Sequence, residues 1–298
     1  MSAKPTLKQL KYLCAVAKTL HFGKAARVCH VTQSTLSAGI HELESILGIT
    51  VLERNNKQVL LTEVGKTIVQ RAQNILIEVD ELMAVAAAEL EPLSRRIRLG
   101  VIPTIAPFML PNLLRNLRKD YPKLQLLIRE DLSENIVQLL QQGELDVILL
   151  ALPYPMDNVT TQHLFHDPFL LAYPKGHPLS KAKPLKTSDL KGQDVLLLED
   201  GHCLRDHALE ACKLSDTQIS QPYTATSLHT IVQMVANGIG STLLPKMALD
   251  AGILSGTGIV TKPFTEKHVW RSIGLAWRKS SPRAAEYQQL ADYIIKHQ

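Results

Sequence analysis

Apolar residues return every three or four positions along the first third of the chain, and past Ser94 the spacing changes to short apolar runs alternating with helical stretches. From Leu7 to Leu20 the positions Leu7, Leu10, Leu13, Cys14, Ala17 and Leu20 predict a helix with one buried stripe. Phe22 to Val28 reads as a second, shorter helix, with Ala25 and Ala26 small enough for close helix contact. After a turn at Cys29 to Thr32, a third helix runs from about Gln33 to Leu47. Its Leu36, Ile40, Leu43 and Leu47 face inward, and Gln33, Ser34, Thr35, Ser37 and His41 lie on its polar side. This order of short amphipathic helices predicts a helix-turn-helix whose last helix enters the DNA major groove. Thr50 to Leu52 and Gln58 to Leu61 flank Glu53 to Lys57, which reads as a two-stranded wing with Arg54 and Lys57 available to phosphates.

Thr62 can cap the next helix, which continues to about Glu91 before Pro92. Ile68, Ala72, Ile75, Val79, Leu82 and Ala86 alternate spacings of four and three, and Val69, Leu76, Met83 and Leu90 add a flank every seven. Packing against its own domain is one reading of this seam. Roughly 28 residues span about 42 Å, longer than a small DNA-binding domain needs, which favours pairing with a second copy.

Beyond Ser94 the pattern predicts strand Ile97 to Ile102, helix Phe108 to Asp120, strand Gln125 to Glu130, helix Glu134 to Gln142 and strand Val147 to Ala151. Such alternation implies a parallel sheet with crossover helices and a ligand site at the carboxyl ends of its strands. Thr104 and Ser133 follow the first two strands, so both hydroxyls can face one site; helix capping is the other reading of Ser133. A second unit over about residues 167–266 holds a helix from Ser227 to Asn237 and the turn GIG at 238–240. The strand Ser272 to Trp277 and a terminal helix from about Pro282 to His297 return to the first unit.

Charge sharpens the division. Residues 1–62 carry eight Lys or Arg against three Asp or Glu, whereas the remainder carries 25 of each, so the whole excess of +5 lies in the first fifth. A localised basic excess points to a polyanionic partner. No apolar run reaches the length of a membrane span, and the start MSAKPTLKQLKYL lacks a signal peptide's apolar core, so the expectation is a cytoplasmic protein with no membrane partner. In that reducing compartment four cysteines argue against a structural disulfide framework.

The chemistry concentrates in Glu199 to Cys212, EDGHCLRDHALEAC. Val195 to Leu198 has strand character, and Asp200 and Gly201 are turn residues that can start a helix with Cys203 near its N-terminus. Peptide dipoles there, with Arg205 and a protonated His202, would favour thiolate. Nine residues of helix put Cys212 roughly 13 Å away on the opposite face. A disulfide needs Cα atoms within about 7 Å, so joining the two sulfurs would force local unfolding. The competing reading is that both are small buried apolar residues, as Cys14 and Cys29 are expected to be on their helices.

The run FGKAARVCHVTQSTLSAGIHELESILGITVLERNNKQVLLTEVG strongly resembles the winged helix-turn-helix of LysR-type transcriptional regulators. That resemblance implies an α/β chain: a winged helix-turn-helix at 1–62, a dimerisation helix at 63–92, and a redox-sensing effector domain at 93–298. The effector domain would be two-lobed like periplasmic binding proteins, with lobe I at about 93–166 and 267–298 and lobe II at about 167–266. It implies DNA contacts from Gln33, Ser34, Thr35, Ser37 and Arg54. EDGHCLRD followed by Cys212, VIPTIAPFMLP around Thr104, TATSLHTIVQMVANGIGSTLLP at 224–245 and RSIGL at 271–275 resemble the peroxide-sensing members of the family. Ser133 departs from them, standing where threonine is common, so a hydroxyl is kept and a methyl lost.

By this resemblance Cys203 is the peroxidatic cysteine and Cys212 the resolving one. Thr104, Ser133 and His202 would surround hydrogen peroxide, Arg205 would lower the thiol pKa, Arg271 would steady the pocket or the leaving oxygen, and Asp206 would orient a basic neighbour. Partners implied are double-stranded DNA, hydrogen peroxide, RNA polymerase, and further copies of the chain as a homodimer assembling to a homotetramer. No cofactor or metal is implied, since His202 and Cys203 are adjacent with no second close pair, and the protein would not be an enzyme. Two alternatives stay open: a regulator answering a small organic inducer, and a thiol peroxidase, which would have no need of a basic winged helix.

Overall fold

The computed structural model describes residues 3–55, 58–86, 93–181, 184–213 and 224–298, and the chain divides into two compact units, Met1–Glu89 and Leu90–Gln298. In the first unit α1 (Leu7–Thr19), α2 (Phe22–Val28) and α3 (Gln33–Leu47) each start on a side-chain cap. Thr6 and Gln9 form a reciprocal capping box, His21 Nδ1 accepts from the backbone of Gly23 and Lys24, and Thr32 Oγ1 accepts from Thr35 N. Leu36, Ile40 and Leu43 of α3 are fully buried with Leu13, Val16, Ala25 and Val51, the larger side chains contributing about 1.5–3 kcal/mol each. The stripe of α1 is wider than its spacing predicts: Leu7 and Leu20 are exposed, while Gln9, Tyr12, Ala15 and Val16 turn inward. The cause is packing on several sides, since α1 touches α2, α3 and the long helix that follows.

The wing pairs β1 (Leu52–Asn55) with β2 (Gln58–Leu61), from Leu52 opposite Leu61 to Asn55 opposite Gln58. Its first strand begins later than predicted because Val51 and Leu52 donate their N–H groups to Glu44 of α3. Lys57 and the side chain of Arg54 lie outside the described residues. Thr62 caps α4 (Glu63–Ala86), accepting from Gly65 N at 2.9 Å. Gly65 is required by close approach, because a Cβ there would lie 2.1 Å from the Val51 carbonyl oxygen. The predicted seam of α4 divides: Val69 and Ala72 are buried in this unit's core, with Ile68 and Leu76 packed against it, whereas Ile75 and Leu82 are 46% and 68% exposed. The side chains of Met83 and Ala86, and the whole of Leu90, lie outside the described residues.

In the second unit β3 (Arg96–Val101), α5 (Ala106–Asp120), β4 (Gln125–Glu130), α6 (Ser133–Gln141) and β5 (Val147–Leu152) follow the alternation expected of them, and β3 pairs in parallel with both β4 and β5. Then come β6 (Val159–Pro174), β7 (Val195–Leu198), α7 (Cys203–Cys212), β8 (Thr224–Ala225), α8 (Leu228–Ala236), β9 (Ser241–Pro245), α9 (Lys246–Asp250), β10 (Ile259–Pro263), β11 (Trp270–Arg278) and α10 (Ala284–Lys296). The strand order is β4-β3-β5-β11-β6-β9-β7-β8, with β10 also on β6.

Parallel pairing is confined to β3 with β4 and β5 in one lobe and to β7 with β8 and β9 in the other, and the returning strand β11 already runs antiparallel to β5. The long strand β6 runs antiparallel to β11 in its first part and to β9 and β10 in its last, so it carries the chain from one lobe to the other. Two apolar cores result. One gathers β3, α5, α6, β5, β11 and α10; the other gathers β7, α7, α8 and β9.

Candidate functional site

Helix α7 opens directly after the turn Asp200–Gly201, with Gly201 at φ 95°, a left-handed conformation that favours glycine. Cys203 is its first residue and Cys212 its last, both free thiols and both buried. Their burial is in different places: Cys203 belongs to the first lobe's core and Cys212 to the second's, with Leu204, Ala208 and Ala211. The two sulfurs thus sit at opposite ends of an ordered helix, as the nine-residue spacing predicts.

Thr104, just beyond β3, and Ser133, the first residue of α6, meet His202 and Cys203 around one tight crevice, lined also by Ile102, Pro103, Leu132 and Gly201, with no room for a water-sized molecule. Ser133 does not cap its helix: its Oγ is buried and has no hydrogen-bond partner of ordinary geometry. Its nearness still acts on the thiol. Burial pushes the Cys203 pKa up, and the Ser133 hydroxyl, the Arg271 guanidinium and the Ala151 backbone N–H pull the other way. Cys212 is pushed up to about 12 by burial, aided by the charge of Glu266.

The source of positive charge differs from the sequence expectation. His202 is buried and its pKa is lowered by that burial, so it is neutral at pH 7. Arg205 turns to Asp200, with 3.0 Å between Nη1 and Oδ1, and Asp206 is exposed. The cation that reaches the thiol is Arg271, on β11, whose side chain is fully buried. It donates from Nη1 to Thr104 Oγ1 at 2.8 Å, from Nη2 to the Thr104 carbonyl at 3.0 Å, and from Nε to Asp167 Oδ2 at 3.0 Å.

Two further residues escaped the sequence reading. Asp167, on β6, is buried and also accepts the Met247 backbone N–H at 2.9 Å. His207 lies one helical turn after Cys203; its Nε2–H donates to the Pro153 carbonyl at 3.1 Å, leaving Nδ1 buried and unpartnered. A helical spacing of four from Cys203 was the available signal for His207. Asp167 offered none, since its partner is 104 residues away.

On α3, Gln33, Ser34 and Thr35 are exposed and Ser37 is half-buried. The hydroxyls of Ser34 and Thr35 are tied to the cap, at 2.9 and 2.8 Å from Thr32 Oγ1, which leaves Gln33 as the exposed side chain of that turn with no capping duty. Lys24 and Arg27 are exposed on α2 beside it.

Two family models match the chain. One, described as the bacterial regulatory helix-turn-helix protein, lysR family, covers residues 7–66; the other, the LysR substrate binding domain, covers 90–298. The chain is 40% identical over 294 residues to the HTH-type transcriptional regulator EstR of Acinetobacter baylyi, covering 99% of this chain and 97% of that one. It is 38% identical over 288 residues to the DNA-binding transcriptional dual regulator OxyR of Escherichia coli, covering 97% and 94%. Among solved structures, full-length OxyR from Pseudomonas aeruginosa, in a cysteine-to-aspartate form, superposes with a TM-score of 0.80 at 36% identity over 98% of this chain and 95% of that one. A cysteine-to-serine mutant of Corynebacterium glutamicum OxyR, bound to H2O2, gives 0.68 at 31% identity, covering 100% and 94%.

Proposed function

The chain belongs to the LysR family of bacterial transcriptional regulators, and we propose that it senses hydrogen peroxide through the Cys203 thiol and a reversible disulfide with Cys212, and so controls oxidative-stress genes. The observation that carries this reading is the single closed crevice in which Thr104, Ser133, His202 and Cys203 converge, while the second sulfur waits in another core at the far end of α7.

The closed crevice is small. As it stands it has no room for even a water-sized molecule, so any ligand, peroxide included, enters only when the crevice opens. Opening it far enough to admit peroxide would also hydrate the thiol. That relieves the burial that holds its pKa up and leaves Ser133, Arg271 and the Ala151 N–H opposed only by the smaller effect of the Asp206 charge, so access and ionisation arrive together. The thiolate attacks one peroxide oxygen, the O–O bond breaks, and hydroxide leaves and takes a proton to become water, with donors from the Thr104 and Ser133 hydroxyls and His202 steadying the leaving oxygen. Cys203 is then a sulfenic acid. Attack by the Cys212 thiol forms the S–S bond and expels the second oxygen as water; a cellular dithiol returns both sulfurs to thiols.

In this reading the chain works in three parts: residues 1–62 bind double-stranded DNA through Gln33, Ser34, Thr35, Ser37 and Arg54, 63–92 pair two copies, and 93–298 carry the sensor. Exposed Ile75 and Leu82 on α4 support a homodimer. Two dimers would form a tetramer whose spacing on DNA, and contact with RNA polymerase, change when α7 refolds. The test is operator binding by the full chain before and after peroxide: Cys203→Ser should bind DNA and show no response. A C203S chain that still responds to peroxide would overturn the reading, and a chain that turns peroxide over rapidly with a reductant would make it a peroxidase.

A further inference from the structure

The geometry points to Asp167 as the positioning residue that holds Arg271 against the cysteine site, with the second lobe sharing the hold through the Met247 backbone. Asp167 touches neither the crevice nor the thiol. Its Oδ2 accepts from Arg271 Nε at 3.0 Å and lies 2.9 Å from Nη2, while its Oδ1 accepts the Met247 N–H at the start of α9. Nη1 and Nη2 are spent on the Thr104 hydroxyl and carbonyl. All three guanidinium nitrogens are therefore fixed, and the plane of the guanidinium cannot turn. Asp167 lies on β6, the strand that passes between the lobes, so one carboxylate ties Thr104 in the first lobe to α9 in the second.

The pair is a poor device for stability alone. Both side chains are almost wholly buried, at 0% and 2% exposure, and removing two charges from water offsets most of what their attraction returns; apolar residues of similar volume would serve stability as well or better. What they could not do is hold a positive charge at a set distance from Cys203. Arg271 lowers that thiol's pKa, and Coulomb attraction falls with separation, so its help depends on where Asp167 keeps it.

The consequence for signalling rests on the peroxide-sensing reading above, but the hold itself can be read without peroxide. Asp167→Glu keeps the charge and lengthens the arm by one methylene; Asp167→Asn removes the charge and one of the two acceptor oxygens. In the full-length reduced chain, with folding checked by circular dichroism, the rate of Cys203 alkylation by iodoacetamide would be followed from pH 6 to 10 by peptide mass spectrometry. If Asp167 positions Arg271, both variants alkylate Cys203 more slowly, by about tenfold at pH 7, with the pH profile moved upward. If Asp167 is only a counter-charge, D167E behaves as the parent and D167N, with Arg271 released from its anion, alkylates faster. Either of those results overturns the inference. Should one variant fail to fold, the other decides, since each separates the two readings alone. If the two variants show the alkylation effect while the parent chain gives no peroxide response, the sensor reading is retired and the hold stands.

Discussion

Cys203 and Cys212 end the same ten-residue helix, yet the first is packed into one lobe's core and the second into the other's. A bond between them must therefore withdraw at least one sulfur from apolar surroundings and break helical hydrogen bonds between. Oxidation is expected to speed hydrogen exchange across 203–212, seen by mass spectrometry. In Cys212→Ser, where Cys203 can reach the sulfenic acid and go no further, the same amides should keep their protection.

Ser133 carries a buried hydroxyl with no ordinary partner beside the thiol. An unsatisfied buried hydroxyl costs stability, so Ser133→Ala should raise the unfolding free energy by about 1 kcal/mol. If the hydroxyl serves the leaving oxygen, the same variant should slow Cys203 oxidation by about tenfold or more. Denaturant unfolding and stopped-flow oxidation measure the two effects, and opposite signs are the expected result.

His207 gives a dependence on pH. Burial lowers its pKa below the ordinary 6.5, with Arg271 adding to the effect, so the unfolded chain takes up a proton before the folded one does. The stability it lends is fully present above pH 6.5 and is lost as pH falls through the folded pKa. His207→Gln retains a donor for the Pro153 carbonyl, and its thermal midpoint should fall less steeply than the parent's on acidification below pH 6.5.

On the DNA side, Gln33 is exposed and takes no part in the cap. Gln33→Ala should weaken operator binding by roughly 1–3 kcal/mol and leave non-specific binding and its salt dependence unchanged. Ile40→Ala differs: emptying a fully buried site costs about 2–5 kcal/mol of this unit's stability and so lowers binding to every sequence alike.

What the sequence made legible was local. The helices of the first unit and α7 with its two cysteines follow from spacing and turn residues, because the signal lies within a few neighbours. The strand β6 went unseen, since VTTQHLFHDPFLLAYP crosses from one lobe to the other and has no single buried face. The charge at the thiol was misplaced for the same kind of reason. Arg205 is next door in sequence and pairs with Asp200, whereas Arg271 arrives through β11 and is held by Asp167 from β6. Burial, which neutralises His202 and raises the Cys203 pKa, is a property of the assembled lobes and of no local pattern.

The most direct test is non-reducing peptide mapping of the full chain after one equivalent of hydrogen peroxide. The account predicts a crosslinked pair of peptides joining Cys203 to Cys212, with Cys14 and Cys29 still alkylatable. Peroxide that leaves Cys203 as a stable oxyacid with Cys212 free, or that oxidises Cys14 or Cys29 first, would contradict it.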